Sequence, residues 1–276
     1  MEIDLPPARL IDGRIAFFTF ATRGFAPFVL NLHASLRRHD PALADKLIAF
    51  CADRRTAAEL AAEGVCTVAC DSDDLPEFAE FEGPGFGRVV SCKFALARRL
   101  LRSADYVWWC DGDVVARDAL GDRILDLVAG SDADLLMQCE SPGDRLNTGF
   151  WIARRSPAVD DMLADMAEQT ARADVDDQAY FNERHARAGD VTIAALDPDE
   201  FACGNRFYHR HLRGAPRGRV LHFNYAVGRG NKQELMRQHG AWYLEQPRSV
   251  ARRARLRHLR LTLRGRIGAR RPRSAS

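Results

Sequence analysis

Short apolar runs alternate with stretches of helical spacing near the start of the chain, and this alternation constrains the fold more than any other feature. Residues 15–22 (IAFFTFAT), 46–51 and 65–70 are apolar runs of strand length, whereas residues 26–39 and 56–63 have helical spacing. Strands that alternate with helices predict an α/β fold with a parallel, doubly wound sheet. Such a sheet binds its ligands in the crevice at the carboxyl ends of its strands.

The alternation continues into the second half of the chain. A Gly/Pro-rich loop over 81–87 precedes a predicted helix over 91–102 and a strand over 104–110. Hydrophobic patterning predicts further strands over 134–139, 149–153, 191–196 and 219–223, and further helices over 156–170 and 177–187. A chain of 276 residues can form one large domain, and its composition changes abruptly only after Pro247. We therefore expect a globular domain over 1–247 and a separate tail over 248–276.

The charges of the chain are unevenly distributed. The 40 Lys and Arg against 38 Asp and Glu balance to +2, which argues against a wholly basic nucleic-acid binder and an acidic disordered chain. The tail over 248–276 nevertheless holds eleven arginines and no acid, which leaves 29 basic against 38 acidic residues elsewhere, a net charge of −9. The tail can form a basic amphipathic helix for an anionic membrane surface, or it can be a disordered solubilising segment. Nucleic-acid binding is less favoured because the tail has no aromatic residue to stack on bases.

Several features favour a cytoplasmic location. The N-terminus is acidic and interrupted by Pro6 and Pro7, so it does not resemble a signal peptide. The seven cysteines show no CxxC or zinc-ribbon spacing, which suits reduced core thiols. The apolar runs fall short of the roughly 20 residues that a membrane span needs. We expect a cytoplasmic protein whose tail can attach it to the inner face of the membrane.

Two acids follow a buried strand directly. Asp111 and Asp113 flank Gly112 after the apolar segment YVWWC, and the strand period of two places both carboxylates on one side. Carboxylates this close repel unless a cation lies between them, and their oxygens suit hard divalent ions such as Mg²⁺ or Mn²⁺. The alternative is that one acid caps the next turn and the other is solvated.

Other polar segments fit the same ligand-binding scheme. Asn147, Thr148 and Gly149 precede an apolar strand, and Asp177 and Gln178 open a predicted helix, where an acid can also be an N-cap. His222 lies near the end of the predicted strand over 219–223, and Lys232 follows on a loop with Gly228 and Gly230. His222 can be a third metal ligand or a satisfied structural histidine, and Lys232 can contact a phosphate.

Taken in order, these segments resemble a known family. A strand followed by DGD, then LNTGFWIA, DDQAYFN and LHFN…GRGNK, resembles the nucleotide-diphospho-sugar transferases, which are glycosyltransferases of the GT-A fold. The likeness is greatest to the retaining groups that include glycogenin-like and plant cell-wall-type enzymes. It runs roughly from Arg14 to Trp242 and implies an α/β, Rossmann-like fold with a mixed, mainly parallel sheet flanked by helices.

The resemblance implies roles for individual residues. Asp111, Asp113 and His222 would hold the metal ion that bridges the donor diphosphate. Asn147, Asp177 and Gln178 would face the donor sugar, and Lys93 resembles a donor-binding basic position, although it can also be a solvated helix lysine. The donor-binding set implied is Thr19, Ala21, Thr22, Arg23, Lys93, Asp111, Gly112, Asn147, Gly228 and Lys232. Within this set, the loop over 19–23 would form the nucleoside-binding edge. Trp108 and Trp109 depart from the family, which usually has aliphatic or small residues there, and we expect this to affect packing only.

The implied activity is metal-dependent transfer of a sugar from a nucleotide-diphospho-sugar, in particular a UDP-sugar, to a carbohydrate or lipid-linked acceptor with retention of configuration. The implied cofactor is Mn²⁺ or Mg²⁺. A non-catalytic nucleotide-sugar or glycan-binding protein of the same fold is the alternative, and the intact set of acids, His222 and Lys232 argues against it. A carboxylate–metal phosphohydrolase is a third hypothesis, but no further acid cluster supplies its nucleophile.

Overall fold

The computed structural model describes residues 7–72, 75–79, 81, 83–140, 145–173, 175–204, 206 and 218–244. The first half of the fold consists of strands that alternate with helices, as the sequence predicts. In chain order these elements are β1 (Ile15–Ala21), α1 (Ala26–His39), α2 (Pro41–Ala44), β2 (Ile48–Cys51), α3 (Arg54–Ala62), β3 (Cys66–Ala69), α4 (Phe86–Leu100), β4 (Tyr106–Cys110), β5 (Val114–Ala116) and α5 (Gly121–Ala129).

The second half contains β6 (Leu135–Cys139), β7 (Leu146–Arg154), α6 (Pro157–Ala173), α7 (Asp177–Phe181), β8 (Ile193–Ala195), β9 (Phe201–Cys203), β10 (Val220–His222) and α8 (Arg229–Gln238). A π-helical turn over Asn182–Ala186 follows α7 directly.

Seven strands form the main sheet in the order β3-β2-β1-β4-β7-β6-β8, and β5, β10 and β9 form a smaller sheet. Strands β3, β2, β1 and β4 are parallel, whereas β7 runs antiparallel to both of its neighbours. The sheet is therefore mixed and mainly parallel, and the prediction of this α/β architecture is confirmed. Because β7 runs backwards, its N-terminal end lies beside the carboxyl end of β4, where Phe150 pairs with Cys110.

Alternation along the strands produces two cores, one on each face of the main sheet. Trp109 packs in the core that contains α4 and α6, whereas Trp108 packs in the core that contains α1 and α5. The two tryptophans therefore point in opposite directions, as adjacent strand residues must. Trp108 stacks on Phe17, with ring centroids 3.9 Å apart.

The sequence-based boundaries were wrong in several places. Helix α4 begins at Phe86 rather than at residue 91, after Gly85 in the left-handed region at φ 79°. Strand β7 begins at Leu146, so Asn147 and Thr148 lie inside it rather than at its entrance. Five elements were missed: α2, β5, α5, β9 and α8. The strands among them have only three residues each, which is too short for a periodic signal to be recognised.

Candidate active site

A cavity of about 340 Å³ opens at the carboxyl edge of β1 and β4. Its polar lining includes Lys93, Asp111, Asp113, Asn147, Thr148, Asp177, Gln178, His222 and Lys232. Its apolar lining includes Phe20, Phe25, Phe78, Phe81, Phe86 and Trp109. This position is where an open α/β sheet binds its ligand, because strand ends and the loops that follow them meet there.

Three side chains from two sheets meet on one side of the cavity. Asp111 and Asp113 follow β4, and His222 ends β10. The Nε2 atom of His222 lies 3.3 Å from Asp113 Oδ1 and 3.6 Å from Asp111 Oδ2. One ligand atom from each residue lies within 4.8 Å of the others, so the three atoms can contact a single ion.

Gln138 orients the imidazole of His222 through the ring nitrogen Nδ1. Gln138 donates its Nε2 hydrogen to the carbonyl of Phe201 at 3.0 Å, so its Oε1 atom accepts from His222 Nδ1 at 2.8 Å. The proton of a neutral imidazole is thereby held on Nδ1, which leaves the lone pair on Nε2. Nε2 is buried and has no hydrogen-bond partner among the described residues. A ring nitrogen without a hydrogen-bond partner that faces two carboxylates fits a divalent metal ion, and a histidine that binds a metal usually donates its other ring N–H to an acceptor such as Gln138.

The charged side chains of the cluster shift one another's pKa values. Burial by itself would raise the pKa of Asp113, but the neighbouring charges of Lys232 and His222 outweigh it and hold that pKa well below its ordinary value. Burial by itself would lower the pKa of His222, but Asp113 and Asp111 raise it to about 9. Both shifts follow from the close approach of two carboxylates to the side chains of His222 and Lys232.

Lys232 contacts the cluster through Asp113, whereas Gln138 contacts it through His222. The Nζ atom of Lys232 pairs with Asp113 Oδ2 and lies 5.6 Å from the ring centroid of Phe25. The expectation that it stands on a flexible loop was wrong, because it belongs to the first turn of α8. Gly228, which caps that helix at φ 84°, takes a backbone conformation that favours glycine.

Gly149 is the point where the cluster and the polar residues of β7 approach each other. A Cβ atom built on Gly149 would lie 2.3 Å from His222 Cε1, 2.5 Å from Asp111 Oδ2 and 3.0 Å from Asn147 Oδ1. The first two distances are shorter than real Cβ contacts, so any larger residue would force His222 or Asp111 to shift. The small residue predicted to admit a ligand therefore first of all makes room for the side chains of the candidate metal site.

Asn147 and Gln178 form a connected pair beside the cluster. Asn147 Oδ1 accepts from the amide of Gly149, and its Nδ2 donates to Gln178 Oε1, both at 2.8 Å. Gln178 Nε2 donates in turn to Glu140 at 3.1 Å, and Tyr225 donates its hydroxyl to the same Glu140 oxygen. The network assigns the orientation of each amide, which prepares fixed donors and acceptors on the cavity wall.

Asp177 lies in a buried ion pair rather than at a helix cap. Its Oδ2 atom is 2.5 Å from Lys93 Nζ, and Thr148 donates its hydroxyl to the same oxygen at 2.5 Å. The N-cap of α7 is instead Asp176, whose side chain accepts from the amide of Gln178. The alternative prediction that Lys93 is a solvated helix lysine was wrong, because its side chain is buried and also donates to the carbonyl of Thr148.

A match to a family model decides which class of protein carries this site. The model for nucleotide-diphospho-sugar transferases matches residues 42–236, well over half of the chain. The chain belongs to the nucleotide-diphospho-sugar transferase family. The transferase is accordingly a glycosyltransferase, as the order of its motifs predicts. No curated protein sequence matches it.

Solved structures support the fold of the transferase. A glycosyltransferase involved in glycosylation of the major capsid of PBCV-1 is 12% identical, with a TM-score of 0.51 over 82% of this chain and 99% of that one. The galactosyltransferase LgtC, in complex with donor and acceptor sugar analogs, is 14% identical, with a TM-score of 0.50 over 84% and 98%. GlyE of Streptococcus pneumoniae TIGR4 is 15% identical, with a TM-score of 0.53 over 84% and 60%. These likenesses establish the GT-A fold.

The transferase does not bring all residues of its predicted nucleoside-binding edge to the cavity. Thr22 lines the cavity, but Thr19 and Ala21 are buried within β1 and are not part of the lining. Arg23 is exposed and pairs with Glu77 at 2.8 Å. The prediction treated residues 19–23 as one loop, whereas strand alternation turns Thr19 and Ala21 away from the cavity.

Sequence reasoning missed several side chains at the site of the transferase. They are Gln138, Glu140, Tyr225 and the aromatic wall of Phe25, Phe78, Phe81 and Phe86. Gln138 and Glu140 flank the end of β6, and their position beside a predicted strand end was the signal that could have identified them. Phe78, Phe81 and Phe86 lie in or near a Gly/Pro-rich loop, where no periodicity marks a functional wall, and Phe25 lies between β1 and α1.

The predicted basic tail over 248–276 lies outside the described residues of the transferase. Within the part of the chain that is described, no helix combines the length and the apolar character needed to cross a membrane.

Proposed function

We propose that this glycosyltransferase moves a sugar from a nucleotide-diphospho-sugar, in particular a UDP-sugar, in a reaction that depends on Mn²⁺ or Mg²⁺. The observation that carries the proposal is the convergence of Asp111, Asp113 and the orphaned Nε2 atom of His222 beside the polar wall of the cavity. Carboxylate oxygens suit both ions, whereas an imidazole nitrogen is a ligand of transition-metal ions, which favours Mn²⁺ over Mg²⁺.

The chemistry of transfer explains why these groups lie together. The bond between the anomeric carbon and the diphosphate oxygen breaks, so negative charge develops on the leaving group. A divalent ion held by Asp111, Asp113 and His222 would supply Lewis-acid stabilisation of that charge. Lys232 lies in contact with Asp113 and would donate to the same diphosphate, which adds a second positive charge to this side of the cavity.

The polar wall beside the cluster would hold the sugar. Asn147 and Gln178 offer amide groups whose orientation is set by the network that ends at Glu140. The carboxylate of Asp177 would offset the positive charge that builds on the sugar ring as it becomes oxocarbenium-like. We propose transfer with retention, with Gln178 or Asp177 on the face of the sugar opposite the leaving group.

Exposed apolar side chains at the rim of the cavity favour a lipid-linked acceptor. Among the described residues, the exposed large apolar side chains are Phe81, Tyr225 and Val227, which are 49%, 36% and 55% exposed, and all three line this cavity. A purely polar glycan would leave them in water, whereas an acceptor with an apolar portion would cover them. We therefore place the glycan of the acceptor in the cavity and its apolar portion on this rim.

Two further parts of the proposal concern organisation and location. We propose that residues 1–247 form the catalytic domain and that residues 248–276 attach it to an anionic membrane surface on the cytoplasmic side. The eleven arginines of the tail support this assignment, and a membrane location suits a lipid-linked acceptor.

The test is incubation of the full chain with a panel of nucleotide sugars and Mn²⁺, with release of nucleoside diphosphate as the measurement. We expect release from one UDP-sugar, and loss of that release on chelation of the metal or in the variant Asp113→Ala. Undiminished turnover by folded Asp113→Ala would contradict the metal assignment. Binding of a nucleotide sugar without turnover or transfer would favour the non-catalytic alternative. The anomeric configuration of the product, read by NMR, decides between retention and inversion.

A further inference from the structure

Trp109 makes a polar contact with the proposed metal cluster. Its indole Nε1–H donates to Asp111 Oδ1 at 2.9 Å, although Trp109 is only 4% exposed and stands in an otherwise apolar strand. This is the position where the sequence departs from the family resemblance, and the departure was expected to affect packing alone. The contact shows that it also reaches a group that we assign to the chemistry of the site.

The hydrogen bond separates the two oxygens of Asp111. Oδ1 is occupied by the indole of Trp109, whereas Oδ2 faces His222 Nε2 at 3.6 Å. A carboxylate held at one oxygen by a neutral donor cannot rotate freely, so it presents its other oxygen in a fixed direction. We propose that Trp109 is a positioning residue that presents Asp111 to the divalent ion through Oδ2 alone. This inference rests on the proposed metal-dependent function.

The indole itself is held in place. Strand β4 lies between β1 and β7 in the sheet, where Trp109 pairs with Phe18 on one side and with Trp151 on the other. The ring of Phe18 meets the indole edge-on, with centroids 5.1 Å apart and planes at 63°. Lys93 Nζ lies 5.7 Å from the centroid of the indole ring. A donor fixed on a central strand can orient a carboxylate without a large loss of side-chain entropy on metal binding.

The neighbouring Trp108 provides a matched control. It is fully buried in the opposite core, and its Nε1 atom has no hydrogen-bond partner among the described residues. Trp109→Phe and Trp108→Phe therefore remove the same indole atoms from adjacent residues of β4, one in each core. Only Trp109→Phe also removes a hydrogen bond to Asp111.

The experiment measures Mn²⁺ affinity of the full chain without any substrate, from the signal of free Mn²⁺ in electron paramagnetic resonance. Loss of a side chain that hydrogen-bonds to a metal ligand weakens metal binding by about 10- to 100-fold, and we expect this weakening for Trp109→Phe. We expect Trp108→Phe to bind Mn²⁺ within about threefold of wild type, since an unpartnered N–H orients no ligand.

A second measurement tests the hydrogen bond in case Trp109→Phe does not fold. In metal-free protein labelled with ¹⁵N, Asp111→Ala should shift one indole N–H signal strongly and leave that of Trp108 in place. Equal Mn²⁺ affinities for the two folded Phe variants, or indole signals unmoved by Asp111→Ala, would overturn the inference alone. Wild-type protein that binds no Mn²⁺ would overturn the proposed metal site as well, so the two failures are distinguishable.

Discussion

Lys93 Nζ lies 2.5 Å from Asp177 Oδ2, and both side chains are less than a tenth exposed. The two residues come from α4 and α7, so the ion pair joins two helices across the cavity floor. The same carboxylate oxygen also accepts from Thr148, which places Asp177 in one defined position.

Replacement of Lys93 should be costly because it leaves a buried charge without its partner. We expect Lys93→Met to lower the free energy of unfolding by about 3–5 kcal/mol, measured by urea denaturation. The exposed pair of Arg55 and Glu59 provides the control, since Arg55→Met should cost less than about 1 kcal/mol. Similar losses in the two variants would contradict the assignment of Lys93 and Asp177 as a buried, structurally coupled pair.

A methyl group at position 149 should disrupt the cluster of Asp111, Asp113 and His222. The Cβ of Gly149→Ala would lie 2.3 Å from His222 Cε1, so His222 or β7 must move, and we expect Mn²⁺ affinity to fall at least about tenfold. Isothermal titration calorimetry with Mn²⁺ measures this. Gly230→Ala is the control, because no heavy atom lies within 4 Å of its added Cβ, and in α8 it should increase stability by up to about 1 kcal/mol. Full Mn²⁺ affinity in Gly149→Ala would show that the cluster is not the metal site.

The acceptor at position 138 should determine how well His222 serves as a ligand. Gln138→Leu removes the partner of His222 Nδ1, and we expect about 10- to 100-fold weaker Mn²⁺ binding. Gln138→Glu keeps an oxygen that accepts from Nδ1, so it should retain most of the affinity. If both variants bind Mn²⁺ like wild type, the orientation of His222 by residue 138 has no role in metal binding.

The basic tail should govern attachment to anionic membranes. A chain truncated after Pro247 should lose co-sedimentation with vesicles that contain phosphatidylserine, since each arginine near such a surface contributes about 1 kcal/mol. The full chain should bind less as salt rises, because screening weakens this attraction. Vesicles of phosphatidylcholine alone are the control. Equal binding of the full and truncated chains would rule out a membrane role for residues 248–276.

The location of the site could be predicted from local sequence properties. The apolar run before Asp111 identifies a buried strand, and a sheet of alternating strands and helices places its ligand at that strand's end. Asp111, Asp113 and His222 converge as predicted, although His222 follows the two acids by more than a hundred residues in sequence. The order of the motifs also sufficed to predict the family.

The sequence alone could not predict which side chains position the candidate site residues. Gln138 accepts a hydrogen bond from His222, and Lys93 pairs with Asp177. In each case the two partners lie 84 residues apart in the sequence. Neither pair leaves a periodic or spaced signal, because each contact depends on how strands and helices pack in three dimensions.

Hydrophobic periodicity and the placement of acids after a strand are local, so the sequence by itself determined the α/β alternation, the family and the edge of the sheet that carries the chemistry. The tertiary structure decided the rest. The reversed direction of β7 brings Gly149 against His222, and strand alternation sends the indole of Trp109 to Asp111 while Trp108 fills the opposite core. These relationships follow from strand direction and register, which depend on the packing of the whole sheet.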